Sequence, residues 1–313
     1  MDDSPQESVE GLFRNMLREL AAIGLSRYTG QMDASALVSR ILQDRNLKGY
    51  GYRIGNEQWI DILYDMGPFQ FVMRGKVVGP HSVSVGNLAP ALKEKRGYML
   101  GKPEIRFSEE GVMLIGQEAM CMEEVAVRMT ESHRFYREKE LQEQDSLFIS
   151  IYGLSIEGKI LLGSFRSDED QKAIAEEEQW RREMLERADS GDEFAIRAIE
   201  QEERFMDEEI AERLRKEDVY TIFDGFMYPA GREENHYTIL GDIVKIDKLF
   251  NPYSEEWVYY LELNVLGQEL RVLINPTDLL GEPAVGRRFQ GKVRLYGRLD
   301  PARMILENLD QFF

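Results

Sequence analysis

The 313-residue sequence predicts an α+β protein that ends in a small β-barrel. Three observations carry that reading. Strand-like runs follow one another without the βαβ rhythm of a parallel sheet. One acidic stretch near the middle keeps helical spacing, and the last third alternates apolar and polar residues with period two. They divide the chain into an α+β N-terminal domain (1–165), an acidic helical segment (166–218) and a small β-barrel domain (219–313).

The first domain opens with apolar residues at helical spacing, Val9, Leu12, Phe13, Met16, Leu17, Leu20 and Ala21. Ser8 is a fitting N-cap and Gly24 a fitting stop. A second short helix is expected over Ser35–Leu42. The runs "QWIDILYD" and "FQFVMRGKVV" read as strands joined through Gly67-Pro68, with further strands near 104–107, 112–117 and 125–129. The run "LFISIYGLSIEGKILLGSF" reads as a closing hairpin with Glu157-Gly158 at its turn. "GYGYRIG", Gly49 to Gly55, imitates a dinucleotide fingerprint, but its spacing is too long and no helix follows to receive a phosphate, so it reads as a turn.

In the middle segment acidic residues outnumber basic ones. Ala173, Trp180, Met184 and Ala188 keep helical register, Asp192 caps a short helix containing Phe194, Ile196 and Ile199, and Met206, Ile210 and Leu214 mark a third. Each retains an apolar face to bury, so the segment reads as helix. Clusters such as "SDED" lack the alternating ligands of a calcium loop and read as solvated helix faces.

The last domain reads as strands "YTIFDGF", "YTILGDIVKID", "EWVYYLELNV", "QELRVLI" and "RFQGKVRLYGRL". Trp257, Tyr259, Leu261, Leu263 and Val265 share one strand face, Leu266-Gly267-Gln268 is a tight connection, and Thr277–Leu280 is a short helical interruption. A long first strand with Gly241 near its middle, a hairpin, that interruption and a closing strand suggest an OB-like barrel, with an SH3-like barrel as the alternative.

The totals exclude several classes. No apolar run approaches the roughly 18 residues that span a bilayer, and the acidic start is unlike the basic opening of a signal peptide. The single cysteine, Cys121, allows no intrachain disulfide and sits in "EAMCMEE", among Met and Glu, where a thiolate is disfavoured. The histidines, His81, His133 and His236, sit in no catalytic motif and read as solvated or structural. Catalytic, cofactor-binding and metal signatures are all lacking, which leans away from an enzyme and toward a cytoplasmic protein without a cofactor.

One surface stands out against a formal net charge of -18. In "GRRFQGKVRLYGRL", Phe289, Val293 and Leu295 fall on one side, facing a β core. Lys292, Arg294, Tyr296 and Arg298 fall on the other, preceded by Arg287 and Arg288, with Tyr260 on the equivalent outer face of a neighbouring strand. Cations interleaved with an aromatic suit a single-stranded nucleic acid. They equally suit docking on acid, either the chain's own helices (Glu176–Glu178, Glu208–Glu209) or a protein partner, or a solvated strand face. The expectation is a non-enzymatic protein-interaction or scaffold module, through a protein partner or self-association. Oligonucleotide binding by the barrel is the alternative, and an enzyme with a site invisible in sequence comes third.

"YTILGDIVKI", "INPTDLLGEPAVGRRFQGKVRLYGRL", "GLSIEGKILL" and "AAIGLS" resemble a clostridial family of unknown function, domain-of-unknown-function family 3881. The likeness extends over most of the chain, strongest from Gly153 onward, and the lead from Met1 to Asn15 looks longer than the family's usual start. The resemblance implies a bacterial cytoplasmic protein and brings no activity, cofactor or residue role.

Overall fold

The computed structural model describes residues 17–44, 47–80, 82–93, 98–118, 124–162, 179–185, 187–188, 192–199, 225–231 and 233–299. These fall into two compact units, residues 162–224 and all the rest.

In the larger unit, two sheets form because the runs alternate. An antiparallel meander orders β1 (Lys48–Ile54), β2 (Glu57–Met66), β3 (Phe69–Gly79) and β4 (Ser82–Leu92). "GYGYRIG" is therefore mostly strand, not turn: Tyr52 pairs with Trp59 and is buried, and only Gly55 turns the chain, at φ 58. The second sheet contains β5 (Tyr98–Ser108), β6 (Gly111–Glu118), β7 (Glu124–Met129), β8 (Ser146–Leu161), β9 (Phe226–Pro229), β10 (His236–Asn251), β11 (Glu256–Val265), β12 (Gln268–Ile274), β13 (Leu279–Leu280) and β14 (Arg288–Leu299).

A closed five-stranded barrel lies within that sheet. β14 pairs antiparallel with β8 and β10, β10 with β11, β11 with β12, and β12 closes the ring by pairing parallel with β8. The β11–β12 connection is the tight one expected, with Leu266 and Gly267 both at positive φ, as a two-residue hairpin whose twist matches its strands requires. A 3-10 turn at Pro276–Asp278 supplies the helical interruption.

β8 corrects two expectations. It is one strand of 16 residues, not a hairpin turning at Glu157-Gly158. It also comes from the first region of the sequence, so residues up to 161 and from 225 onward share one unit instead of forming separate domains. The physical reason lies at Gly158, which pairs with Gly291 across the β8–β14 ladder. A Cβ at either glycine would fall within 2.6 Å of the fully buried Phe289 ring, so the pair leaves a slot for that ring instead of a bend. Gly158→Ala is expected to overpack the slot and cost about 1–3 kcal/mol, read from the midpoint of chemical denaturation.

Two cores result. Phe289, Val293 and Leu295 face into the barrel with Leu261, Leu263, Val272 and Ile274, as their spacing predicts. The second core lies on the outer face of the barrel, where Tyr152, Leu154, Val258, Tyr260, Leu273 and Tyr296 meet the four-stranded sheet and the N-terminal segment. That segment runs from Leu17 through a 3-10 turn (Glu19–Ile23) to Gly24, then to helix α1 (Gln31–Ile41), whose Ala34, Leu37 and Ile41 form the buried stripe. The part of the expected first helix before residue 17 lies outside the described residues. Two asparagines of the barrel hold this turn: Asn251 Nδ2 donates to the Ile23 carbonyl at 2.7 Å and Asn275 Nδ2 to that of Ala21 at 3.2 Å.

In the smaller unit, residues 179–185 and 193–199 are helical. Asp192 Oδ1 accepts from the backbone N–H groups of Phe194 and Ala195 at 2.9 and 3.4 Å, the N-cap its position suggests. The third expected helix lies outside the described residues. Among the described residues no helix is long and apolar enough to cross a membrane.

Candidate functional site

The cationic strand face is the first place to look, and most of it is buried. Arg294, Tyr296, Arg288 and Tyr260 are all under 9 % exposed, Arg287 and Arg298 are half-buried, and Lys292 is exposed. Alternation along β14 does turn these side chains away from the barrel interior, but the N-terminal segment covers Arg294, Tyr296 and Tyr260, and Glu131, just before helix α2 (Ser132–Arg137), meets Arg298.

Arg294, Arg298 and Lys292 each take a carboxylate. Arg294 NH1 lies 2.5 Å from Glu19 Oε1, and its NH2 donates to Glu233 Oε1 at 2.6 Å. Arg298 NH2 donates to Glu131 Oε1 at 2.6 Å, and Lys292 Nζ to Glu157 Oε2 at 3.1 Å. The Tyr296 hydroxyl donates to Glu19 Oε2, and its ring stacks near Tyr152 with centroids 6.3 Å apart. Arg287 NH1 donates to the Glu282 carbonyl at 2.8 Å. The solvated-face expectation is therefore wrong for Arg294 and Tyr296. Charge complementarity inside the chain takes up the row, with Glu19, Glu131, Glu157 and Glu233 as partners. The acids expected in that role, Glu176–Glu178 and Glu208–Glu209, lie outside the described residues.

Glu19 is fully buried, and that burial raises its carboxyl from 4.5 to about 7 against the pull of Arg294. A raised carboxyl binds more protons folded than unfolded between those values. Its stabilising contribution is thus complete below about pH 4.5 and lost as pH rises through about 7, up to roughly 3 kcal/mol. Denaturation near pH 5 and near pH 8 reads the difference, and Glu19→Gln is expected to flatten it.

A second cluster was not legible in the sequence. Asp61 on β2 is fully buried, and its Oδ1 accepts from Tyr52 Oη on β1 and Arg74 Nε on β3, both at 2.9 Å. Its Oδ2 accepts from the His133 backbone N–H at 2.9 Å and contacts His133 Nδ1 at 3.1 Å. Burial alone would raise the Asp61 carboxyl. The bonds from His133 and the Arg74 guanidinium outweigh it and hold the group at about 2. An ionised carboxylate only accepts, so Nδ1 carries a proton, and in the neutral ring Nε2 is then the acceptor.

The His133 ring stacks on Tyr50, with centroids 4.4 Å apart, and lines a cavity of about 440 Å³. Its other walls include Leu63, Glu131, Arg134 and Arg137. Of the other histidines, His236 is half-buried beside Arg294, its pKa lowered by burial, and His81 lies outside the described residues, as does Cys121. Among the described residues no three His, Cys, Asp or Glu side chains gather as a metal site.

A third feature is the outer end of the β10–β11 hairpin. There Phe250 and Trp257, directly paired in register, are 38 % and 53 % exposed with ring centroids 4.9 Å apart. Lys248 Nζ lies 5.0 Å from the Tyr259 ring centroid, two rungs along the ladder. The inward face of the hairpin continues past the barrel core here, so aromatics that alternation predicts to be buried reach solvent instead.

A family model described as "Domain of unknown function, E. rectale Gene description" (DUF3881) matches residues 110–297, from the start of β6 nearly to the end of β14. No curated protein and no solved structure matches the chain.

Proposed function

The chain belongs to the DUF3881 family, and on that premise, which carries no activity, we propose that it is a protein-interaction module. It presents the outer end of the β10–β11 hairpin to a protein partner. The observation that carries this reading is the exposed Phe250–Trp257 pair on a hairpin whose opposite face, through Val258 and Tyr260, is anchored in a core. A rigid, exposed tryptophan is the residue type that dominates binding energy at protein interfaces.

The strand pairing supports the choice of hairpin. We read the barrel as OB-type with its strands circularly permuted. Counted from β10, the first strand pairs with the second and fourth, and the third runs parallel to the fifth, the place that β8 takes. The 3-10 turn falls between third and fourth. An SH3-like meander has no such parallel closure. OB barrels bind ligands on the face of their second and third strands and with the loop joining the first two. Here that face is filled by the chain's own N-terminal segment, which also holds the loop through Asn251, Ser254 and Glu256, and the Phe250–Trp257 pair beside the loop is the part that remains open.

Nucleic acid is the weaker reading. Arg294 and Arg298 are neutralised internally, and on the hairpin Lys245 is drawn to Asp247 and Glu262, so no cationic track follows the aromatics.

Photo-crosslinking from position 257 in cells tests the proposal. One dominant protein adduct is expected, insensitive to nuclease and weakened by Phe250→Ala, a surface change expected to leave stability within about 0.5 kcal/mol. Diffuse adducts like those from exposed Thr277, or an adduct removed by nuclease, would overturn it.

A further inference from the structure

The cavity beside His133 has features that a packing defect lacks. At about 440 Å³ it is within the range of small-ligand sites, roughly 300–1,000 Å³. Its key polar group is nine-tenths buried and fixed three ways: by the Asp61 bonds to its backbone N–H and Nδ1, and by the Tyr50 ring stacked on it. Asp61 is itself immobilised by Arg74 and Tyr52. That support leaves Nε2 as the one ring atom able to accept a hydrogen, and it makes no hydrogen bond among the described residues.

The charges around the cavity limit the ligand further. Arg134 donates to both oxygens of Glu138, at 2.9 and 2.8 Å, and that pair cancels. Glu131 is committed to Arg298. Arg137 remains, exposed and without a hydrogen bond or ion pair among the described residues. The arrangement is one cation beside one fixed acceptor, with Leu63 and the Tyr50 ring as apolar walls. A dianion such as sulfate would meet Arg137 as its one uncommitted counter-charge and would offer Nε2 no hydrogen.

We propose that this cavity binds a small hydroxycarboxylate, its hydroxyl donating to His133 Nε2 and its carboxylate pairing with the Arg137 guanidinium. The site is separate from the hairpin and does not depend on the interaction reading.

The chain has three histidines, so long-range 1H–15N correlation resolves their imidazoles in the intact protein. Lactate and glycerate are the probes, and propionate is the control that lacks the hydroxyl. The expected result is a saturable shift confined to His133, with propionate weaker by about two- to tenfold, the worth of one satisfied hydrogen bond. Arg137→Ala, a surface change that leaves the Asp61 cluster intact, is expected to abolish the shift while the His133 resonance keeps its ligand-free position. Equal binding of propionate and lactate would remove the role of Nε2, and a shift unchanged by Arg137→Ala would remove that of the cation. Absence of any shift overturns the site.

Discussion

Arg294→Ala is expected to destabilise the folded chain by about 3–5 kcal/mol near pH 8, read as a lower denaturation midpoint with an unchanged slope. Glu19 and Glu233 both lose their counter-charge, and Glu19 has no water to turn to, being fully buried between the barrel and the N-terminal segment. The penalty is largely that of an uncompensated buried carboxylate, not the net worth of the pair. It is therefore expected to shrink below pH 7, where Glu19 takes up a proton and the lost cation matters less. Arg294→Met together with Glu19→Leu is expected to cost less than Arg294→Met alone, because the fully buried carboxylate left unpaired by the single change is then gone. A cationic strand facing solvent would show none of this, since removing an exposed arginine shifts stability by about 0.5 kcal/mol or less.

Asp61→Ala is expected to be of similar size, about 3–5 kcal/mol, for the complementary reason. It strands the buried Arg74 guanidinium, the Tyr52 hydroxyl and two His133 donors around one missing acceptor. Asp61→Asn keeps the shape but turns one acceptor into a donor aimed at Arg74 or at His133, so it is expected to be destabilising but milder. The sign of the pH dependence is opposite to that of Glu19. The folded pKa of Asp61 is depressed, so its contribution is present above 3.8 and lost as pH falls through about 2. Denaturation profiles of the parent and Asp61→Asn in acid separate the two carboxylates, one favouring the fold when charged and the other when protonated.

Much of the β architecture was legible from alternation. The inward set Phe289, Val293 and Leu295, the Gly67-Pro68 connection and the Leu266-Gly267 hairpin all follow from local pattern. What failed was the use of glycine as punctuation. Gly158 in "SIEGK" and the glycines of "GYGYRIG" read as turns because turn chemistry is local. Gly158 instead makes room for an aromatic ring that arrives from a strand more than a hundred residues later. The strand face shows the same limit. Spacing placed Arg294 and Tyr296 away from the barrel core, but their partners come from Glu19 and from a bend near Glu233, positions that only long-range pairing brings together. The Asp61–His133 pair, 72 residues apart, carries no motif at all. His133 read as solvated or structural in sequence; it is buried and bonded to Asp61, and the cavity beside it had no sequence signal.

The burial of the cationic side chains of β14 rests on one seam, where the N-terminal segment meets Arg294 and Tyr296 through Glu19. A double-mutant cycle between Glu19→Gln and Arg294→Met, with unfolding free energies measured near pH 8, tests that seam most directly. The predicted result is a coupling energy above about 1 kcal/mol, within the range for residues sharing one buried network. Additivity to within about 0.3–0.5 kcal/mol would mean the two side chains do not meet, and the cationic face of β14 would have to be returned to solvent.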